Sequence, residues 1–356
     1  MIQTSHHFAN VNGHKVFYRE AGDASLPVII LLHGFPSSSF MFRGLIPLLA
    51  EKFRVIAPDY IGFGQSDAPS VDDFDYTFDS LTTHVAGLID QLGLKSYVLY
   101  MQDYGGPIGF RIFASRPEAV TGFIIQNANA YMEGIGDLPK QVFLPLWEKR
   151  DADSEAGART FLAAGTTQFQ YMVGAKNPAA ISPDNWTLDQ ALLDRPGTDA
   201  YQLNLLENYK TNVALYDIWH AAFRKHQPKT LILWGKHDPF FIEAGATAFL
   251  VDLPKARLVW LDAGHFVLDE NAAIVAAEIN AEFALPMTTA TEIVRRFYAA
   301  LGQGDAPTAL GLMAEDIEWN TMWHYKVDGR GPQKVAEGLL APLMAEWTSF
   351  ALTPSA

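Results

Sequence analysis

Three side chains in this sequence have the types and surroundings that covalent hydrolysis needs. Asp103 closes an apolar run, "SYVLYMQ", and Gly105 and Gly106 stand just behind it. A carboxylate at the mouth of a core strand is costly unless something pairs with it or uses it. A strand that turns sharply into a helix over small residues lifts one side chain above its sheet, the arrangement called a nucleophile elbow. Gly105 supplies the small residue such a turn needs, whereas Met101 stands two places before Asp103, where a small residue is usual. Asp238, in "LWGKHDPFF", and His265, in "LDAGHFVLDE", each follow a further apolar run, so nucleophile, acid and histidine succeed one another in a triad order. The segment "LLHGFPSSS" follows the first core run. From it the backbone N–H of Phe35, with that of Tyr104, is expected to form an oxyanion hole, and His33 is expected to hold the turn beside the substrate. The Phe35–Pro36 bond is a candidate for the cis form.

Taken alone, each residue has a plainer reading. Asp103 could cap a helix, Asp238 could open the "DPFF" turn and His265 could be a hydrogen-bonded loop histidine. Their common order on comparable elements favours the catalytic reading.

The elements that must position these groups are legible as short apolar runs at 27–34, 54–60, 96–101, 121–127, 229–235 and 256–262. They do not alternate polar with apolar, so they predict strands covered on both faces, as in a parallel sheet. Amphipathic stretches lie between them; Leu81, Val85, Leu88 and Leu92 form a helical stripe that stops at Gly93. Ahead of the first run, Asn12-Gly13 predicts a hairpin. Repeated strand–helix units imply an α/β doubly wound, mostly parallel sheet. Residues 131–227 break the rhythm with helical and aromatic sequence, and predict a helical cap inserted between core segments 1–130 and 228–286. Insertions on the carboxyl side of a parallel sheet overlie the place where such folds bind ligands. After a linker-like "PMTTA", residues 288–356 predict a separate short α+β module.

Composition narrows the function. The chain has 356 residues, 49% of them hydrophobic and 19% charged, enough for one large α/β domain with insertions or for two domains. A net charge of −14 argues against nucleic acid and against anionic membranes, both of which attract Lys and Arg. The absence of cysteine excludes disulfides, thiolate catalysis and Cys-based zinc sites. No metal-ligand spacing stands out, the "GFG" at 62–64 lacks the dinucleotide-binding context, and His6, His7 and His84 are scattered. Neither a cofactor nor a metal is expected, and a cytoplasmic location is the default reading.

With "LLHGFPSSS", "APDYIGFGQSD" (57–67), "MQDYGG" and the Asp238 and His265 segments in sequence, residues 1–286 resemble α/β-hydrolases with an aspartate nucleophile, the epoxide hydrolases and haloalkane dehalogenases. The resemblance implies that Asp103, already ionised at neutral pH, attacks an electrophilic carbon and forms an alkyl ester. His265, oriented by Asp238, would then activate water against that ester. The implied partners are a small, largely apolar epoxide or alkyl halide, and water.

The leaving group divides the family. Epoxide hydrolases hydrogen-bond the epoxide oxygen through cap tyrosines, and "ENYK" resembles the segment that carries one of them, which nominates Tyr209. Tyr171 is a candidate for the second, and Trp147, in "LPLWEKR", stands at the early cap position, where a tryptophan is similar to some dehalogenases. Typical dehalogenases bind halide with a tryptophan directly after the nucleophile, where this chain has Tyr104, and many have asparagine where it has Phe35. Fluoroacetate-type enzymes have arginines where this chain has Tyr104 and Pro107. Epoxide hydrolysis is the leading expectation, dehalogenation the alternative, and a non-catalytic ligand-binding protein a third. The tail, from "IVRRFYAALGQGD" to "DGRGPQKVAEGL", resembles part of a SnoaL-like (NTF2-like) domain. That likeness implies a possible homodimer and makes Asp316 and His324 pocket candidates by analogy.

Overall fold

The computed structural model describes residues 2–284, 290–319 and 326–342. The chain divides into two compact units, Met1–Ala284 and Leu285–Ala356.

The first unit is built on eight strands: β1 (Ser5–Val11), β2 (His14–Ala21), β3 (Val28–Leu32), β4 (Arg54–Pro58), β5 (Tyr97–Gln102), β6 (Val120–Gln126), β7 (Lys229–Gly235) and β8 (Arg257–Leu261). They form one sheet in the order β1-β2-β4-β3-β5-β6-β7-β8. β1 pairs antiparallel with β2 and β2 with β4; from β4 onward every neighbour is parallel. Each uninterrupted apolar run of the sequence is one of the strands β3–β8. The reason is that both faces of the sheet are covered: Ile30, Leu32, Leu99 and Met101 pack into the core on one side, Ile29, Leu31, Val98 and Tyr100 into the core on the other. Each such aliphatic side chain removed from water contributes about 1.5–3 kcal/mol. The β1–β2 hairpin turns at Asn12 and Gly13, whose φ angles of 52° and 89° are those of the tight turn the Asn-Gly pair favours.

Between β6 and β7 the chain leaves the sheet and forms helices, the longer ones Asp137–Glu148, Ala164–Met172, Pro183–Leu193, Thr198–Asn208 and Tyr216–His226. Local signals start several of them. Asp151 and Ser154 form a capping box before Ala152–Arg159, and Ser182 caps a helix with Pro183 in its first turn.

The second unit contains the helices Ala290–Gly302 and Ala306–Gly311, separated by Gly304 at φ 75° and by Asp305, whose side chain caps the second helix at the Thr308 N–H. Phe297, Ala300 and Ala309 form a small core of its own. A helical turn, Pro332–Val335, runs on into Ala336–Leu340. Among the described residues this unit has no strand element, so the expected α+β character is not carried by them. Asp316 is exposed, and His324 lies outside the described residues.

Candidate active site

Asp103 sits where β5 gives way to the helix Gly105–Ser115, with a φ of 48° that few non-glycine residues adopt. The turn is tight because a Cβ on Gly105 would stand 2.2 Å from the Leu32 carbonyl oxygen, so the helix starts directly against β3. Met101 fits because the next turn of that helix offers Gly109, whose missing Cβ leaves room for the Met101 sulfur; a Cβ there would lie 2.4 Å from it.

The Phe35–Pro36 peptide is cis, and the Phe35 N–H donates to Asp103 Oδ1 at 2.7 Å. The Tyr104 N–H also acts on this carboxylate. Both expected oxyanion donors therefore converge on Asp103. Burial pushes the Asp103 pKa above the usual carboxylate value, against the downward pull of His265 and the two N–H groups.

His265, 2% exposed, donates from Nδ1 to Asp238 Oδ2 at 2.8 Å. Asp238 follows β7, and its second oxygen accepts the Phe240 N–H at 2.7 Å. Burial alone would lower the His265 pKa, but the charge and hydrogen bond of Asp238 and the charge of Asp103 outweigh it and raise it. The arrangement can hold an imidazolium between two carboxylates.

Two further groups, neither evident as site residues in the sequence, complete this centre. Asn127, after β6 and at φ 43°, donates to Asp238 Oδ2 at 2.7 Å and accepts the Gly235 N–H at 2.8 Å, fixing the acid to its own strand end. Gln102 places its amide nitrogen 3.0 Å from His265 Nε2, while its oxygen is buried without a partner among the described residues. The only sequence signal for either was its place at the carboxyl end of a core strand.

Above Asp103 and His265 lies an apolar cavity between the sheet and the helical insertion, walled by Phe35, Ile135, Pro139, Phe143, Phe161, Leu206, Phe240 and Phe241. Tyr209 and Trp147 line it, their rings parallel and 5.7 Å apart. The Trp147 indole N–H is already donated to the Leu206 carbonyl at 2.9 Å. In contrast, the Tyr104 hydroxyl is buried with no partner among the described residues, and the buried Tyr209 hydroxyl faces that of Tyr216; both residues line the cavity. Burial raises both phenol pKa values well above 10, helped at Tyr209 by Tyr216 and at both by the Asp103 charge, so both stay protonated.

Two expectations are corrected. Tyr171 does not border the cavity: its hydroxyl donates to buried Asp189 and its ring stacks on Phe266 at 3.9 Å. His33 is not on the wall either. It is fully buried, stacked on Tyr60 at 3.9 Å, with its ring nitrogens engaged by Gly34 O and the Tyr60 N–H. Burial lowers its pKa to about 3, so it is a neutral brace between the Phe35 loop and the segment after β4. Among the described residues no group of three His, Asp or Glu side chains could hold a metal ion, and no helix is long and apolar enough to cross a membrane.

The chain is similar to an uncharacterized hydrolase of Saccharomyces cerevisiae, 37% identical over 288 residues, which are 80% of this chain and 98% of the relative. It is 38% identical over 284 residues to haloalkane dehalogenase 2 of Mycobacterium tuberculosis, covering 76% of this chain and 91% of that one. The solved structure of the epoxide hydrolase CorEH superposes with a TM-score of 0.62 at 21% identity, over 79% of this chain and 99% of that one, a likeness of fold. Residues 27–272 match the family described as alpha/beta hydrolase fold. With the sheet order, the insertion after β6 and an Asp103–His265–Asp238 cluster at the strand ends, the chain belongs to the α/β-hydrolase fold family.

Proposed function

We propose that this protein hydrolyses a small, neutral epoxide through an ester on Asp103. The observation that carries the reading is the pair of buried phenols, Tyr104 and Tyr209, both kept protonated and both lining the cavity that contains the Asp103 carboxylate. A buried hydroxyl without a partner, as at Tyr104, costs about 1–3 kcal/mol, and two protonated phenols beside one carboxylate suit an oxygen that gains charge as its bond to carbon breaks. On this reading Tyr104, rather than Tyr171, is the second donor.

In the first step the Asp103 carboxylate attacks a ring carbon, the carbon–oxygen bond breaks, and the freed oxygen takes hydrogen bonds from Tyr104 and Tyr209 and then the proton that the His265 imidazolium gives up. Alkylation removes the negative charge of Asp103, one of the influences that keep His265 protonated. The imidazole then loses its proton more readily and can take one from water. That water attacks the ester carbonyl while the Phe35 and Tyr104 N–H groups hold the oxyanion. The ester collapses to a diol and the Asp103 carboxylate.

Carbon–halogen hydrolysis is the second reading, favoured by the similarity to haloalkane dehalogenase 2. It would have to use the phenols as halide donors, since the Trp147 indole is engaged by Leu206. The test is turnover of styrene oxide beside 1-bromobutane, with mass analysis of a His265→Gln variant after exposure to each. The epoxide reading expects diol from the first compound and a stable adduct on Asp103. Halide release without diol formation overturns it in favour of dehalogenation. No adduct from either compound favours a ligand-binding role.

A further inference from the structure

One polar group on the cavity wall has no part in this chemistry. Gln170, on the helix Ala164–Met172, is 4% exposed and lines the cavity, and its amide nitrogen has no hydrogen-bond partner among the described residues. Its helical neighbours show what a satisfied polar residue looks like here: Thr167 Oγ1 bonds Gln190 at 2.7 Å, and the Tyr171 hydroxyl bonds Asp189. A buried amide donor without a partner in an apolar wall costs free energy in the empty protein, and a ligand that brings it an acceptor repairs that cost. Among the described residues no Lys or Arg lines the cavity, and its titratable lining groups other than the phenols are Asp103 and His265, so the acceptor is neutral.

We infer that Gln170 is a specificity residue that donates its amide N–H to a neutral oxygen, an ether or carbonyl, carried on the substrate away from the epoxide ring. The inference rests on the proposed epoxide chemistry and narrows it to oxygen-substituted, uncharged epoxides. A site built to donate a hydrogen bond discriminates against the analogue that lacks the acceptor, because the analogue leaves the donor buried and unpaired. Among the described residues no hydrogen bond joins Gln170 to Asp103 or His265, so its loss should spare the chemistry itself.

The experiment compares phenyl glycidyl ether with 4-phenyl-1,2-epoxybutane, in which a methylene replaces the ether oxygen. kcat/KM is measured for both in the wild type, in Gln170→Met, which keeps length and removes the amide, and in Gln170→Leu as a second variant. The expected result is a fall of roughly tenfold on the ether in both variants, with the hydrocarbon epoxide unchanged or improved. The hydrocarbon rate reports the integrity of fold and triad. Parallel loss on both compounds, or an unchanged ratio between them, overturns the role of Gln170 and leaves the epoxide reading standing. Failure of the wild type to form diol from either compound overturns both.

Discussion

At the scale of single residues the site works as a charge balance. Two buried carboxylates, Asp103 and Asp238, face one imidazole: the charge of Asp238 raises the pKa of Asp103, and both carboxylates raise that of His265. Asp103 must be ionised to attack, and burial raises its pKa above 3.8, so the rate of ester formation should decline on acidification at a higher pH than for an ordinary carboxylate. Stopped-flow alkylation rates across pH check this; a rate constant flat down to the ordinary carboxylate range contradicts it. His265 provides a second prediction. Its pKa is raised in the free protein partly by Asp103, a contribution that disappears in the ester. Ester breakdown should therefore gain its base at a lower pH than the imidazole titrates in the free enzyme. Comparing the NMR titration of His265 with single-turnover hydrolysis tests the shift. Asn127→Asp, which sets another carboxylate against Asp238, should move the hydrolysis profile to higher pH by about one unit. Asp103, Asp238 and His265 were legible because each follows an apolar run in a telling order. Asn127 and Gln102 were not, because their roles exist only once β5, β6 and β7 lie side by side.

At the scale of elements, the elbow shows how packing settles a doubt that the sequence raises. A methionine two places before the nucleophile is tolerated because Gly109, a turn into the helix, leaves a space that the thioether fills. Gly109→Ala should be destabilising by about 1–3 kcal/mol through overpacking, and Met101→Ala should relieve much of that loss in the double variant. Thermal unfolding of the two single variants and the double measures the coupling; simple additivity contradicts the account. The core strands were readable because burial on both faces leaves an unbroken apolar run. The helical insertion was readable as a segment but not as a surface. Adjacent residues on a helix point about 100° apart, so choosing between Gln170 and Tyr171 for the cavity wall requires knowing how the helix docks. Tyr171 is turned to Asp189 and Phe266, and Gln170 to the cavity.

At the scale of the whole molecule, the insertion is fastened to the sheet domain by a partly buried polar cluster. Arg43 bonds both Asn185 of the insertion and Asp269 beyond His265, at 2.6 and 2.9 Å. Asp189, fully buried beside them, has its pKa raised from 3.8 to about 7, mainly by burial and also by the charge of Asp269, against the Tyr171 hydroxyl and Arg43. Its folded pKa lies above its unfolded one, so it favours the folded state at low pH, and that contribution is lost as pH rises from about 4 towards 7. Asp189→Asn should therefore raise the melting temperature at pH 8 by several degrees and change it little at pH 4.5. An equal effect at both pH values contradicts the assignment. Nothing in the sequence around Asp189 marked it, since its environment is assembled from distant segments. The tail of the chain shows a further limit: its likeness to part of a pocket-forming fold rested on a helix, a Gly-Asp break and a strand, and among the described residues only the helices and the break are present.

The central claim is that the oxygen delivered to the substrate comes from Asp103 and not directly from water. A single turnover of excess enzyme with epoxide in ¹⁸O-enriched water tests it most directly. The account predicts an unlabelled diol and heavy oxygen in the peptide that contains Asp103. Label in the diol from the first turnover, with the Asp103 peptide unlabelled, would contradict it.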